Sequence, residues 1–88
     1  MDKTIFESFE DYLEEADYPQ GKKKIMRSAV DLMSTKGYNG TSTRHIAEHA
    51  GLSQATLFKY FKTKVDLLTA ILHPVVPGLF GSFFDELL

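Results

Sequence analysis

The run His45-Ile46-Ala47-Glu48-His49 matches a catalytic pattern letter for letter. It is H-x-x-E-H, the inverted zinc-peptidase order. On a helix its two histidines, four residues apart, share one face and can chelate a metal. A zinc peptidase also needs a third protein ligand and a cleft that admits substrate, and 88 residues leave little chain to build either. Helix packing through Ile46, Ala47 and Ala50 accounts for the same segment without a metal, and is the preferred reading. A second group of side chains follows at once: Gln54, Ala55, Thr56, Lys59 and Tyr60. Their chemistry suits the edges of base pairs. A glutamine amide pairs with adenine, small groups meet the thymine methyl, and a lysine reaches guanine or phosphate. Other catalytic signatures are missing: there is no Gly-x-Ser-x-Gly elbow, no glycine-rich loop after a strand, and no cysteine. Neither an enzyme nor a metal or other cofactor is expected.

Helices must hold these side chains, and apolar residues at helical spacing predict an all-α fold. Thr4 to Ala16 places Ile5, Phe6, Phe9, Tyr12 and Leu13 on one side and acids on the other. Tyr18-Pro19-Gln20-Gly21 breaks it, because proline disfavours helical geometry in the residue before it. From Gly21 to Lys36 a broad stripe of Ile25, Met26, Ala29, Val30, Leu32 and Met33 predicts a second helix, and Gly37 suits the left-handed position that ends one. Thr41, Ser42 and Thr43 are each able to cap the short helix from Arg44 to Ala50. Gly51-Leu52-Ser53 is a tight turn, and another short helix runs from Gln54 to Phe61. Thr63, with Asp66 three residues on, resembles a capping box and opens a helix to about Leu72, which Pro74 and Pro77 stop.

Residues 44–61 therefore read as helix, three-residue turn with glycine, helix: the helix-turn-helix pattern. Ala47 is small enough for a close helix crossing, and Gly51 permits a backbone geometry that a Cβ opposes. Leu52 plugs the turn from below, while Leu57 and Phe61 pin the second helix to the core.

Charge is segregated along the chain. Residues 1–18 hold seven acids against Lys3, residues 19–73 hold nine bases against three acids, and the tail adds Asp85 and Glu86, for a net charge of −2. The basic middle matters more for partners than the acidic total does. A hydrophobic fraction of 43% and charged fraction of 25% exclude disorder. The acidic start is the opposite of a signal peptide, and no run approaches the roughly 18 apolar residues of a membrane span. A cytoplasmic protein with no membrane partner is expected.

The segments Gly37-Tyr38-Asn39-Gly40-Thr41-Ser42-Thr43-Arg44-His45-Ile46-Ala47-Glu48-His49-Ala50-Gly51-Leu52-Ser53 and Gln54-Ala55-Thr56-Leu57-Phe58-Lys59-Tyr60-Phe61-Lys62-Thr63-Lys64-Val65-Asp66-Leu67-Leu68 resemble the DNA-binding domain of the TetR family of transcriptional regulators. The resemblance covers about residues 22–73 without a gap. It implies a three-helix, helix-turn-helix DNA-binding domain at 19–73, preceded by an acidic helical extension at 1–18 and followed at 74–88 by the start of a ligand-binding and dimerisation domain. It places Ser42, Thr43 and Arg44 near the phosphate backbone or groove edge, and Gln54, Ala55, Thr56 and Lys59 where the family reads or approaches bases. Tyr60 and Lys64 fall where the family grips phosphates, Lys64 with help from the N-terminus of its helix. Position 58 departs from the pattern: phenylalanine stands where tyrosine is usual, which leaves Phe58 open between a contact and a purely core role.

The implied partner is double-stranded DNA with a palindromic operator, bound by a repressor that is a homodimer at full length. Within these 88 residues weak or absent dimerisation and no effector site are expected. In the tail, Leu79, Phe80, Phe83, Phe84, Leu87 and Leu88 make an apolar helix face. A rival reading follows from it, in which the acidic front helix and this face bind a protein partner and the helix-turn-helix is scaffold.

Overall fold

The computed structural model describes the backbone of residues 5–73 and the side chains from Phe9 onward. Five helices succeed one another: α1 (Ile5–Glu15), α2 (Gln20–Lys36), α3 (Thr43–Ala50), α4 (Gln54–Tyr60) and α5 (Lys64–Leu72). No strand occurs among the described residues, as the helical periodicities predict. None of the helices described is long and apolar enough to cross a membrane.

The core is assembled by one stripe from each helix. Ile25, Met26, Ala29 and Leu32 of α2 recur at helical spacing and form its spine. Ile46 and Ala47 of α3, Leu57 of α4, and Leu67 and Ile71 of α5 close on that spine, with Phe61 filling the gap after α4. Phe9 and Leu13 of α1 are buried in the same cluster, Leu13 completely. The acidic helix is thus docked on the domain through its apolar side. Its polar side adds an ion pair, Arg27 Nε to Glu10 Oε2 at 3.0 Å. Both side chains are over a third exposed, so solvent screening limits that pair to well under about 1 kcal/mol.

The α1–α2 connection is held by aromatic groups. The Tyr12 and Tyr18 hydroxyls share a hydrogen bond of 2.6 Å, their rings meet edge to face, and the Lys22 ammonium sits 4.0 Å from the Tyr18 ring centre. Pro19 supplies the N-cap position of α2 without a side-chain bond. The Lys22–Lys24 triplet consequently does not form one basic surface: Lys22 lies over rings, Lys23 is buried, and Lys24 alone of the three is exposed.

Two details at helix ends correct the expectations. Gly37 has positive φ, 77°, but its ψ of 166° is extended, so it ends α2 without adopting the left-handed helical conformation. Phe61 lies beyond α4, in extended geometry, because its side chain must turn back into the core. Pro74, Pro77 and the apolar face expected between Leu79 and Leu88 lie outside the described residues.

Two predictions follow from this packing. A Cβ on Gly40 would lie 2.3 Å from the Lys36 carbonyl oxygen, whereas one on Gly51 would meet nothing within 4 Å and suffer only from a φ of +74°. Urea unfolding should show Gly51→Ala costing about 1–2 kcal/mol and Gly40→Ala more, since backbone must move. Equal or reversed losses would contradict the turn geometry. The second concerns pH. The hydrogen bond with Tyr12, then burial and the charge repulsion of Tyr12, hold the Tyr18 phenol above its ordinary pKa. The protonated phenol is favoured by folding, so its contribution is complete below the unfolded tyrosine pKa and is lost as pH rises from about 10. Melting temperature should fall through that range, less steeply in Tyr12→Phe; parallel curves would exclude the linkage.

Candidate nucleic-acid interface

The geometry of the α3–α4 pair is set by its turn. Gly51 adopts left-handed helical geometry (φ 74°, ψ 27°), which L side chains resist and glycine does not. This lets the Leu52 amide donate back to the Ala47 carbonyl at 2.9 Å, closing α3 in a Schellman arrangement with Leu52 partly buried beneath it. The chain then starts α4 at once. Ser53 caps it by accepting from the Thr56 amide at 3.1 Å, and Leu57, wholly buried, fixes which face of α4 turns inward.

With Leu57 inward, Gln54, Ala55, Phe58 and Lys59 are all exposed. Their spacing of i, i+1, i+4 and i+5 makes them a single side of the helix. Thr56 and Tyr60 are only half exposed and stand toward the flanks. The Thr56 hydroxyl is engaged 3.0 Å from Ser53 Oγ. Tyr60 packs against the core, with its ring and hydroxyl 3.7 Å from where a Cβ on Gly21 would sit. Phe58 is 43% exposed, which removes the purely core role left open for it. The reason is rotational: one residue past the buried Leu57, the helix has turned its side chain away from α2. The sequence left the place of Phe58 open, although the 54, 55, 58, 59 spacing is visible once Leu57 is taken as the anchor.

The N-terminus of α3 lies beside this face. Ser42 caps α3 by accepting from the His45 amide at 3.1 Å, and Thr43 receives a bond from Gln54 Nε2 at 3.2 Å. Ser42, Thr43, Arg44 and Gln54 are therefore brought together. Arg44 is highly exposed and bonded only loosely to Glu48, 3.2 Å away at i+4. An exposed pair of this type costs little to open. Of the three candidate hydroxyl caps, Ser42 is the one used: Thr41 is buried and donates instead to the Gly37 carbonyl at 2.8 Å.

Lys64, at the start of α5, is placed differently from the other candidates. It is half-buried, and its ammonium donates to the Tyr38 and Thr41 carbonyls at 2.8 and 2.9 Å. Two polar side chains of the H-x-x-E-H run, Glu48 and His49, are likewise engaged. His49 Nδ1 lies 2.9 Å from the buried Ser28 hydroxyl, Glu48 faces Arg44, and no group of three or more potential metal ligands occurs among the described residues.

These features define a helix-turn-helix domain whose second helix offers an exposed face flanked by helix-capping hydroxyls. Residues 25–71 match the family model of bacterial regulatory proteins of the tetR family, and the chain belongs to that family. It is 46% identical over 50 residues to an uncharacterized HTH-type transcriptional regulator, YvkB, of Bacillus subtilis; the match takes in 57% of this chain and 26% of the relative. It is 40% identical over 55 residues to the HTH-type transcriptional regulator RutR of Escherichia coli, 62% of this chain and 26% of that one. To the tetracycline repressor protein class C of Escherichia coli it is 36% identical over 50 residues, 57% of this chain and 23% of the repressor. The matched part thus spans about a quarter of the length of these relatives. No solved structure matches the chain.

The caps carry a measurable part of this geometry. Ser53→Ala should lower stability by about 1 kcal/mol and speed amide exchange at Thr56 and Leu57, leaving α2 unaffected. Exchange unchanged at those amides would mean that the cap does not hold the start of α4.

Proposed function

We propose that this domain binds double-stranded DNA sequence-specifically, with α4 in the major groove, as the reading unit of a transcriptional repressor. The observation that carries the reading is the face Gln54, Ala55, Phe58 and Lys59, exposed together on a helix whose opposite side is anchored by a fully buried Leu57. A helix presented in this way fits the roughly 12 Å major groove. Gln54 reads adenine, Ala55 and Phe58 supply apolar contact, and Lys59 reaches guanine or phosphate. Ser42, Thr43, Arg44 and Tyr60 orient the domain on the backbone, supplying affinity and, through Arg44, salt sensitivity. Thr56, tied to Ser53, helps to shape the start of α4 as well as lying beside the groove.

Residues 19–73 form the binding unit, with 1–18 as an acidic helical extension and 74–88 opening a second domain through which two copies meet on a palindromic operator in the cytoplasm. The family assignment and the repressor and regulator names of the relatives support this. The alternative, a protein-docking module using the acidic front helix and the apolar tail, loses Phe9 and Leu13 of its front helix to the core.

Selection of this protein on random DNA duplexes at moderate salt, followed by sequencing, tests the reading. An enriched site is expected, and a palindrome in it would give the half-site spacing. Gln54→Ala should then relax preference at one base pair by about 1–3 kcal/mol while leaving other positions intact. No enrichment even at low salt would reject the DNA reading.

A further inference from the structure

We propose that Thr43 determines specificity through Gln54: its hydroxyl holds the glutamine side chain in the pose from which the amide reads a base pair. The proposal rests on the DNA-binding reading above.

Thr43 is the first residue of α3, and Gln54 is the first residue of α4. Each follows a capping serine. Ser42 accepts from the His45 amide and Ser53 from the Thr56 amide, both at 3.1 Å, so the backbone beside each partner is pinned. The left-handed turn at Gly51 sets how the two helix starts face one another. Across that turn the side chains meet, with Gln54 Nε2 donating to Thr43 Oγ1 at 3.2 Å.

The partners differ in stiffness. Threonine is branched at Cβ and rests in few rotamers, and Thr43 is half-buried. Gln54 is long and exposed, so without a partner it samples many rotamers. The rigid group therefore positions the flexible one. Placement at a helix start matters as well. Further along a helix a threonine hydroxyl turns back onto the preceding turn, as Thr35 does on the Asp31 carbonyl and Thr69 on the Val65 carbonyl. At the first helical position no preceding turn exists, and the Thr43 hydroxyl is left to face α4.

An exposed bond adds little to stability, because water replaces it when it breaks. Its effect is on orientation. The Gln54 amide gives one N–H to Thr43 and keeps the other beside its carbonyl oxygen, the two groups an adenine edge requires. A hydroxyl also has a proton of its own to donate, so Thr43 can hold Gln54 and meet a phosphate or the groove edge at the same time.

Thr43→Val keeps the branched shape and removes the hydroxyl, whereas Thr43→Ser keeps the hydroxyl. Both, with Gln54→Ala and the double variant Thr43→Val/Gln54→Ala, are measured in the full chain. The readouts are affinity for the selected duplex and for duplexes altered at the base pair that Gln54→Ala relaxes. Relaxation of the Gln54 side-chain amide is followed by NMR in the free protein. Positioning predicts discrimination at that pair about threefold to tenfold weaker in Thr43→Val, and largely kept in Thr43→Ser. The valine should have no effect on discrimination once Gln54 is alanine, and the Gln54 amide should be more mobile in free Thr43→Val protein. Affinity lowered evenly on every duplex with discrimination intact would make the hydroxyl a backbone contact alone and overturn the proposal. Equal amide mobility in Thr43→Val and wild type, or a Gln54→Ala variant that relaxes no base pair, would overturn it too, with the DNA reading still standing. Wild-type protein that binds no duplex even at low salt would overturn both.

Discussion

The orientation of α4 depends on the conformation of one residue, Gly51. Its left-handed backbone sends the Leu52 amide back onto Ala47 and starts a new helix two residues later. A longer or looser connection would let α4 rotate about its own axis, and rotation by a single residue, about 100°, would bury Phe58 and expose Leu57. Leu57 in the core and the Schellman closure of α3 therefore act together: one fixes which side of α4 faces inward, the other fixes where the helix begins. Everything the exposed face offers follows from those two constraints.

Charge in this domain is arranged less for the surface than its distribution along the chain suggests. Nine bases stand against three acids in residues 19–73. Lys22 lies over the Tyr18 ring, Lys23 is buried, Arg27 meets Glu10, and Lys64 grips two carbonyls. Several of the cations thus join elements within the domain. The exposed remainder includes Arg44 beside the α3 cap and Lys59 on α4. The acidity of α1 does not oppose this arrangement wholesale, since Glu10 is already committed to Arg27. Long-range attraction to a polyanion still reflects the summed field, screened over roughly 8–10 Å.

Helix periodicity and capping residues made most of the fold legible. The stripe in α2, the Thr63 cap and the glycine turn at 51 are local signals, and each bounds its element to within a residue or two. What escaped the sequence depended on groups distant along the chain. Nothing near Lys64 announces that Tyr38 and Thr41 will turn their carbonyls toward it. Phe58 escaped for a different reason. Large aromatics are buried more often than not, and only the angle fixed by Leu57 shows that this one is outside. Thr56 was legible as a polar residue on a recognition face but not as the partner of Ser53, because a hydroxyl serves either purpose.

At seven residues α4 is too short to be stable alone, so it exists only as part of the packed domain. Its inward residues and its cap do the holding: Leu57 and the adjoining Phe61 are buried, Tyr60 packs at the edge, and Ser53 ties the first turn. Ala55, Phe58 and Lys59 carry none of that burden. They can be exchanged with little penalty to folding, which is the physical condition for one scaffold to present different side chains to different sequences. Gln54 is the exception, because its amide nitrogen already donates to Thr43. That bond holds the side chain in place yet leaves the amide oxygen and the second N–H for an adenine edge. The ordering entropy of this long side chain is thereby partly met before any ligand arrives, and the start of α4 is coupled to the N-terminus of α3.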